Sequence, residues 1–134
     1  MRRNALAYLL GIAAAILTIM LVEALGHLIF PVEADIDFED SEGLAIYMAT
    51  LPLGAVLFVA LAWALGVVAG IAVALRIGDL KPVYFSSVIT SFVLAGAVSQ
   101  MILIPHPTWF VPVALIGIVG AGAAANFLPA REVS

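Results

Sequence analysis

The chain has 134 residues, 65% of them apolar and only 10% charged, with a formal net charge of −4. Soluble domains run at about 45–50% apolar and about 25% charged, and here no Asp, Glu, Lys or Arg occurs at positions 44–75 or 82–130. Uncharged apolar stretches of that length read as membrane spans, which excludes a cytosolic enzyme, a nucleic-acid binder and a disordered tail. The absence of cysteine removes disulfides, thiolate nucleophiles and iron–sulfur clusters from consideration.

The first predicted span covers about residues 5–30. It follows Met1-Arg2-Arg3, but its apolar stretch exceeds the usual 7–15 residues of a signal-peptide core and no small-x-small cleavage site follows it. It is therefore expected to be a retained helix. Residues 31–42 form an acidic segment with Glu33, Asp35, Asp37, Glu39, Asp40 and Glu42. The apolar run 44–75 is too long for one straight span. At about 1.5 Å per residue it would reach about 48 Å, against a hydrocarbon core of about 30 Å. Pro52 breaks it, because proline removes a helical hydrogen bond and clashes with the preceding turn. A short interfacial helix is expected before Pro52, with Tyr47 at headgroup level, and a second span over about 52–75. The run 82–130 divides at Pro105-His106-Pro107, where two prolines cannot continue a helix. The third span is about 82–104. The fourth is about 108–127, with Thr108 as its expected N-cap.

Four spans place both termini on one side. Arg2, Arg3, Arg76, Lys81 and Arg131 then all fall on that side and none on the other, a positive-inside pattern that makes the termini cytoplasmic. Small residues recur at i, i+4 spacing in three spans: Ala62, Gly66, Gly70 and Ala74 in the second, Ser87, Ser91, Ala95 and Ser99 in the third, and Gly117, Ala121 and Ala125 in the fourth. Such stripes let helix backbones approach closely within the bilayer. All three are expected to be bundle seams, with a dimer face on the second span as the alternative.

Glu23 is the only acid inside a predicted span. A charge at mid-membrane costs about 2.5–3.5 kcal/mol on insertion scales, so intramembrane acids are usually paired or functional. Glu23 lies eight residues before Pro31, about 12 Å below the outer end of its helix. His27 follows one turn later on the same face. His106 occupies the outer turn between spans three and four, and Ser99 and Gln100 lie near the depth of Glu23. Several readings stay open. Glu23 and His27 satisfy each other and hold the helices in register. Alternatively Glu23, His27 and His106 bind a divalent metal, since carboxylate and imidazole suit zinc, copper, iron or nickel. Or His27 and His106 are axial ligands of a haem. A proton relay or a lipid-headgroup site completes the set. In each case Ser99, Gln100, Asp35 and Asp37 are the expected supporting groups. The acidic segment lacks the glycine and the terminal glutamate spacing of a calcium loop, and no phosphate-loop, zinc-protease, hydrolase-elbow or dinucleotide signature is present.

The segments Val22-Glu23-Ala24-Leu25-Gly26-His27, followed by Pro31, and Ile104-Pro105-His106-Pro107-Thr108-Trp109-Phe110 resemble those of small uncharacterised four-span bacterial membrane proteins. The resemblance covers nearly the whole chain. It implies the four-span fold, its topology and a bacterial cytoplasmic membrane, and no activity. The expectation is thus a single all-α transmembrane domain over residues 1–134. It is an integral four-helix bundle with an interfacial helix in the outer segment 31–51. It lacks evident catalytic machinery and acts as a bundle, a homo-oligomer or an accessory subunit of a larger membrane complex. Its partners are the lipid bilayer and further membrane chains, not nucleic acid.

Overall fold

A computed structural model describes residues 1–130. Arg131, one of the five basic residues in the topology argument, lies outside the described residues. Those residues form five α-helices and no strand: α1 Arg2–Ile29, α2 Ser41–Thr50, α3 Leu53–Ile77, α4 Pro82–Leu103 and α5 Phe110–Ala125. By length and composition, α1, α3 and α4 can cross a membrane, while α5 is a shorter apolar helix.

Proline sets most of the boundaries. Pro31 follows the end of α1, Pro52 separates α2 from α3, Pro82 opens α4 at a first-turn position, and Pro105 and Pro107 separate α4 from α5. The missing N–H does no harm in a first turn, where it would have no intrahelical partner. Asp40 caps α2 by accepting a hydrogen bond from the Glu42 N–H at 3.2 Å. The cap expected of Thr108 is not formed. α5 starts after Trp109, with no side-chain cap.

α3 is the central helix, packed on α1, α4 and α5. Its Trp63, Val67, Ile71 and Leu75 meet Phe85, Ile89 and Val93 of α4, Phe110 and Ile118 of α5, and Ala7 and Ala15 of α1 in one core. The stripe Ala62, Gly66, Gly70 and Ala74 is wholly buried, and its glycines face α1. A Cβ on Gly70 would stand 2.6 Å from the Gly11 carbonyl oxygen, and one on Gly11 would stand 2.8 Å from the Gly70 carbonyl oxygen. The two backbones touch there because neither residue has a side chain. The matching stripe on α1, Ala7, Gly11 and Ala15, has the same i, i+4 spacing.

The third-span stripe needs correction, and the fourth-span stripe holds in part: Ala125 is buried in the core and Ala121 packs against it, while Gly117 does not. Ser87, Ser91, Ala95 and Ser99 face outward. The Ser87 and Ser99 hydroxyls donate to the Val83 and Ala95 carbonyls of their own helix, at 2.7 and 2.8 Å. The buried face of α4 is instead Phe85, Ser86, Ile89, Val93 and Ala97, two residues out of register and therefore about 200° round the helix. The larger side chains won that contact because they fill the space beside α3 and α5 with more dispersion contacts. On α5 a Cβ at Gly117 would meet nothing within 4 Å, whereas one at Gly122 would run into the Thr90 side chain. Ser86 donates to the Gly122 carbonyl at 2.7 Å across the same buried seam.

One end of the molecule is basic. Arg3 forms an ion pair with Asp79, and the Asp79 N–H donates to the Asn4 side chain at 2.8 Å, so the start of α1 is tied to the α3–α4 turn. The acidic segment, α2 and the Pro-His-Pro turn lie at the other end.

The α1–α3 crossing makes a direct prediction. Gly70→Leu and Gly66→Leu should each lower stability in detergent by about 1–3 kcal/mol through overpacking. Gly117→Leu should change it by less than about 0.5 kcal/mol. Denaturation midpoints of the three variants check this, and equal midpoints for Gly70→Leu and the unsubstituted protein would contradict the close crossing.

Candidate functional site

At the acidic end a cavity of about 290 Å³ opens between α1, α2, α3 and the end of α4. Helix ends carry its polar groups. Glu23 and His27 project from the last two turns of α1, Gln100 from the last turn of α4, and His106 from the Pro-flanked turn. Its walls are apolar and aromatic: Phe30, Phe38, Tyr47, Phe58, Leu44, Met48 and Leu51 among them. Phe30 and Phe58 meet edge to face with ring centroids 6.2 Å apart. Gly26 allows this packing, because a Cβ there would press on Phe58 at 3.1 Å.

Glu23 is half-buried, with the imidazole of His27 and the indole of Trp63 as its polar neighbours. His27 is exposed one turn above it. His106 is fixed more firmly. Its Nδ1 lies 2.7 Å from the Ile104 carbonyl oxygen. A carbonyl only accepts, so Nδ1 carries the proton. The ring stacks on Phe110 with centroids 4.9 Å apart and planes 14° from parallel, and Phe110 in turn meets Trp63 edge-on at 5.7 Å. His106 also borders a second, shallower depression of about 480 Å³ lined by Met48, Leu51, Val56 and the Pro105–Pro107 turn.

The structure brings together Glu23, His27, His106 and Gln100 as lining of one cavity. It does not bring Ser99, Asp35 or Asp37 to that lining. Ser99 is spent on its own helix, and Asp37 accepts from the Glu39 N–H at 2.9 Å within the acidic segment. That segment contributes Val32 and Phe38 instead. Among the described residues, no three His, Asp or Glu side chains form a group able to hold a metal ion. The cavity is also at the small end of ligand sites, which run at about 300–1,000 Å³, and a haem is a large ligand for it. Sequence reasoning missed the aromatic walls and Trp63. The only available signal was the spacing of Phe30 and Phe58 toward helix ends of the same side.

Comparison with family models, curated proteins and solved structures finds no match to this chain.

His106 is thus predicted to be a packing residue as well as a lining one. His106→Ala should cost about 1–2 kcal/mol through the lost stack and hydrogen bond and alter the emission of the neighbouring Trp63. His106→Phe, which keeps the stack, should restore most of the stability. A metal site would show a different pattern: stoichiometric metal lost in both His27→Ala and His106→Ala, and weakened in Glu23→Gln.

Proposed function

We propose that the chain is a four-span integral protein of the bacterial cytoplasmic membrane, with both termini cytoplasmic, that works by binding rather than by catalysis. It acts as a small bundle alone, as a homo-oligomer or as an accessory subunit. The observation that carries this reading is the cavity at the acidic end. It joins the one acid of the long apolar helices to two imidazoles and an aromatic wall, with no Ser, Thr, Cys or Lys among its lining.

The fourth span is supported by the turns that flank α5. The Phe110 N–H donates to the Pro107 carbonyl and the Leu128 N–H to the Ala125 carbonyl. Helical or turn backbone therefore covers residues 107–128, long enough for a hydrocarbon core of about 30 Å. The sidedness is supported by Arg2, Arg3, Arg76 and Lys81 at one end, opposite the acidic segment. The exposed leucines along α1, such as Leu9, Leu17, Leu21 and Leu28, suit contact with lipid chains. The resemblance to small four-span bacterial proteins supports the choice of membrane. The acidic end then faces outward, and the cavity lies in the outer leaflet, open to ligands from the bilayer or from outside the cell.

The absence of native cysteine makes the topology simple to read. Single cysteines at positions 37 and 108 should react with a membrane-impermeant maleimide in intact cells, and one at position 79 only after permeabilisation. Outside labelling at 79 alone would reverse the orientation. Binding is read separately by native mass spectrometry. Ala55→Trp, which fills the cavity, should lose a small molecule or lipid that the unsubstituted protein retains.

A further inference from the structure

We propose that the cavity recognises an organic ammonium ion, with the Glu23 carboxylate as counter-charge and the aromatic walls as the seat of its alkyl groups. The inference rests on reading the cavity as the working part of the protein, and it adds the chemical class of the ligand.

Four features of the lining point the same way. Glu23 supplies one negative charge where the bilayer makes an unbalanced charge expensive. Phe30, Phe38, Tyr47 and Phe58 line the same space. Aromatic faces attract cations, and such walls suit alkylated ammonium groups above all. No Lys or Arg lines the cavity, so the one basic group the chain sets beside Glu23 is the titratable imidazole of His27, and an ammonium ligand adds a permanent positive charge. Finally, the segment above carries six exposed acids, a field that raises the local concentration of cations and repels anions.

The competing chemistries fit less well. A divalent ion needs several hard or imidazole ligands at once, and no such group of three exists among the described residues. An anion meets a carboxylate and no Lys or Arg. A neutral apolar ligand would fit the walls but leave Glu23 without a permanent counter-charge. The imidazoles of His27 and His106 are the only nitrogen bases in the lining. His106 already donates its Nδ1 proton to Ile104, which leaves Nε2 as an acceptor in the neutral ring, able to take a hydrogen bond from an N–H of the ligand. The volume of about 290 Å³ suits a cation with one ring or a short chain. The same chemistry is offered by a free cation and by the ethanolamine headgroup of a lipid entering from the bilayer.

The test uses benzyltrimethylammonium and its uncharged carbon isostere neopentylbenzene, measured by equilibrium dialysis on the full chain in dodecyl maltoside. The expected result is saturable binding of the cation at one per chain and at least tenfold weaker binding of the isostere. Glu23→Gln should weaken the cation at least tenfold and leave the isostere unchanged. Tyr47→Leu is the second variant. The substitution keeps an apolar side chain beside Leu44 and Met48 on α2 and should weaken the cation several-fold; a helical circular-dichroism spectrum equal to that of the unsubstituted protein checks the fold. Added phosphatidylethanolamine that competes with the probe identifies a lipid headgroup as the ligand, and an unchanged affinity identifies a free cation; both support the proposal. Equal binding of cation and isostere, or cation binding unaffected by Glu23→Gln, overturns it while leaving a binding cavity in place. Loss of the retained adduct in Ala55→Trp with no binding of either probe also overturns it and leaves the broader reading standing. Failure of the labelling pattern or of the adduct itself counts against that broader reading instead.

Discussion

Where α1 crosses α3, the backbone of Gly11 lies against that of Gly70, each close enough to exclude a methyl group on the other. Helices in a bilayer gain little from leaving lipid for protein, since both are apolar. Their association depends on close van der Waals approach, and these two glycines permit it. The contact recurs one turn along, where a Cβ on Gly66 would press on the Ala15 carbonyl at 2.9 Å. Toward the acidic end its character changes. There Gly26 faces the ring of Phe58, and Gly54 faces the ring of Phe30. Ring-on-glycine contacts replace backbone-on-backbone contacts, so the two helices are held together at one end and spaced by phenyl rings at the other. The cavity lies in the spaced part.

The rest of the acidic end follows from the prolines. Pro52 stops α2 from continuing into α3, and α2 lies across the opening instead. Its backbone comes within 8 Å (Cα to Cα) of no other helix. Leu44, Tyr47 and Met48 hold it to the cavity through side chains alone. On the opposite wall, Pro105 and Pro107 hold the α4–α5 turn tight enough for His106 to return to its own backbone at Ile104 and stack on Phe110.

Much of this was legible in the residues. The five helices follow the prolines closely, and the short helix before Pro52 is present as expected. Small-residue spacing located the α3 seam, whose glycines lie against α1 of the same chain. The same rule failed on α4 for a clear reason. Its sequence carries two stripes of period four on nearly opposite faces, one of Ser and Ala and one of Phe, Ile and Val, and spacing alone cannot choose between them. The choice depended on partners outside the helix, Gly78 just before it and Gly122 on α5, which leave room for Phe85 and Thr90. Glu23, His27, Gln100 and His106, which line one cavity, stood out because polar groups are rare in this chain. The aromatic walls were not, because a phenylalanine in an apolar helix looks the same whether it faces lipid, core or cavity. Asp35 and Asp37 do not line the cavity, because nearness in sequence does not turn an exposed loop carboxylate inward; Asp37 accepts from the Glu39 N–H within its own segment.

The charges explain why Glu23 stands apart. Apart from Glu23 and Asp79, every acid at positions 1–130 lies in the segment 31–42, in water-accessible positions where a carboxylate needs no partner. Asp79 lies at the basic end and is neutralised by Arg3, the one ion pair among the described residues. Glu23 has neither solution. It is half-buried on a long apolar helix, its polar neighbours are an indole and an imidazole, and all the described Lys and Arg side chains lie toward the other end. Glu23 opens onto a space with room for a ligand and with aromatic walls. The chain sets a titratable imidazole beside this carboxylate but no Lys or Arg, and a permanent positive charge is what an ammonium ligand brings to it.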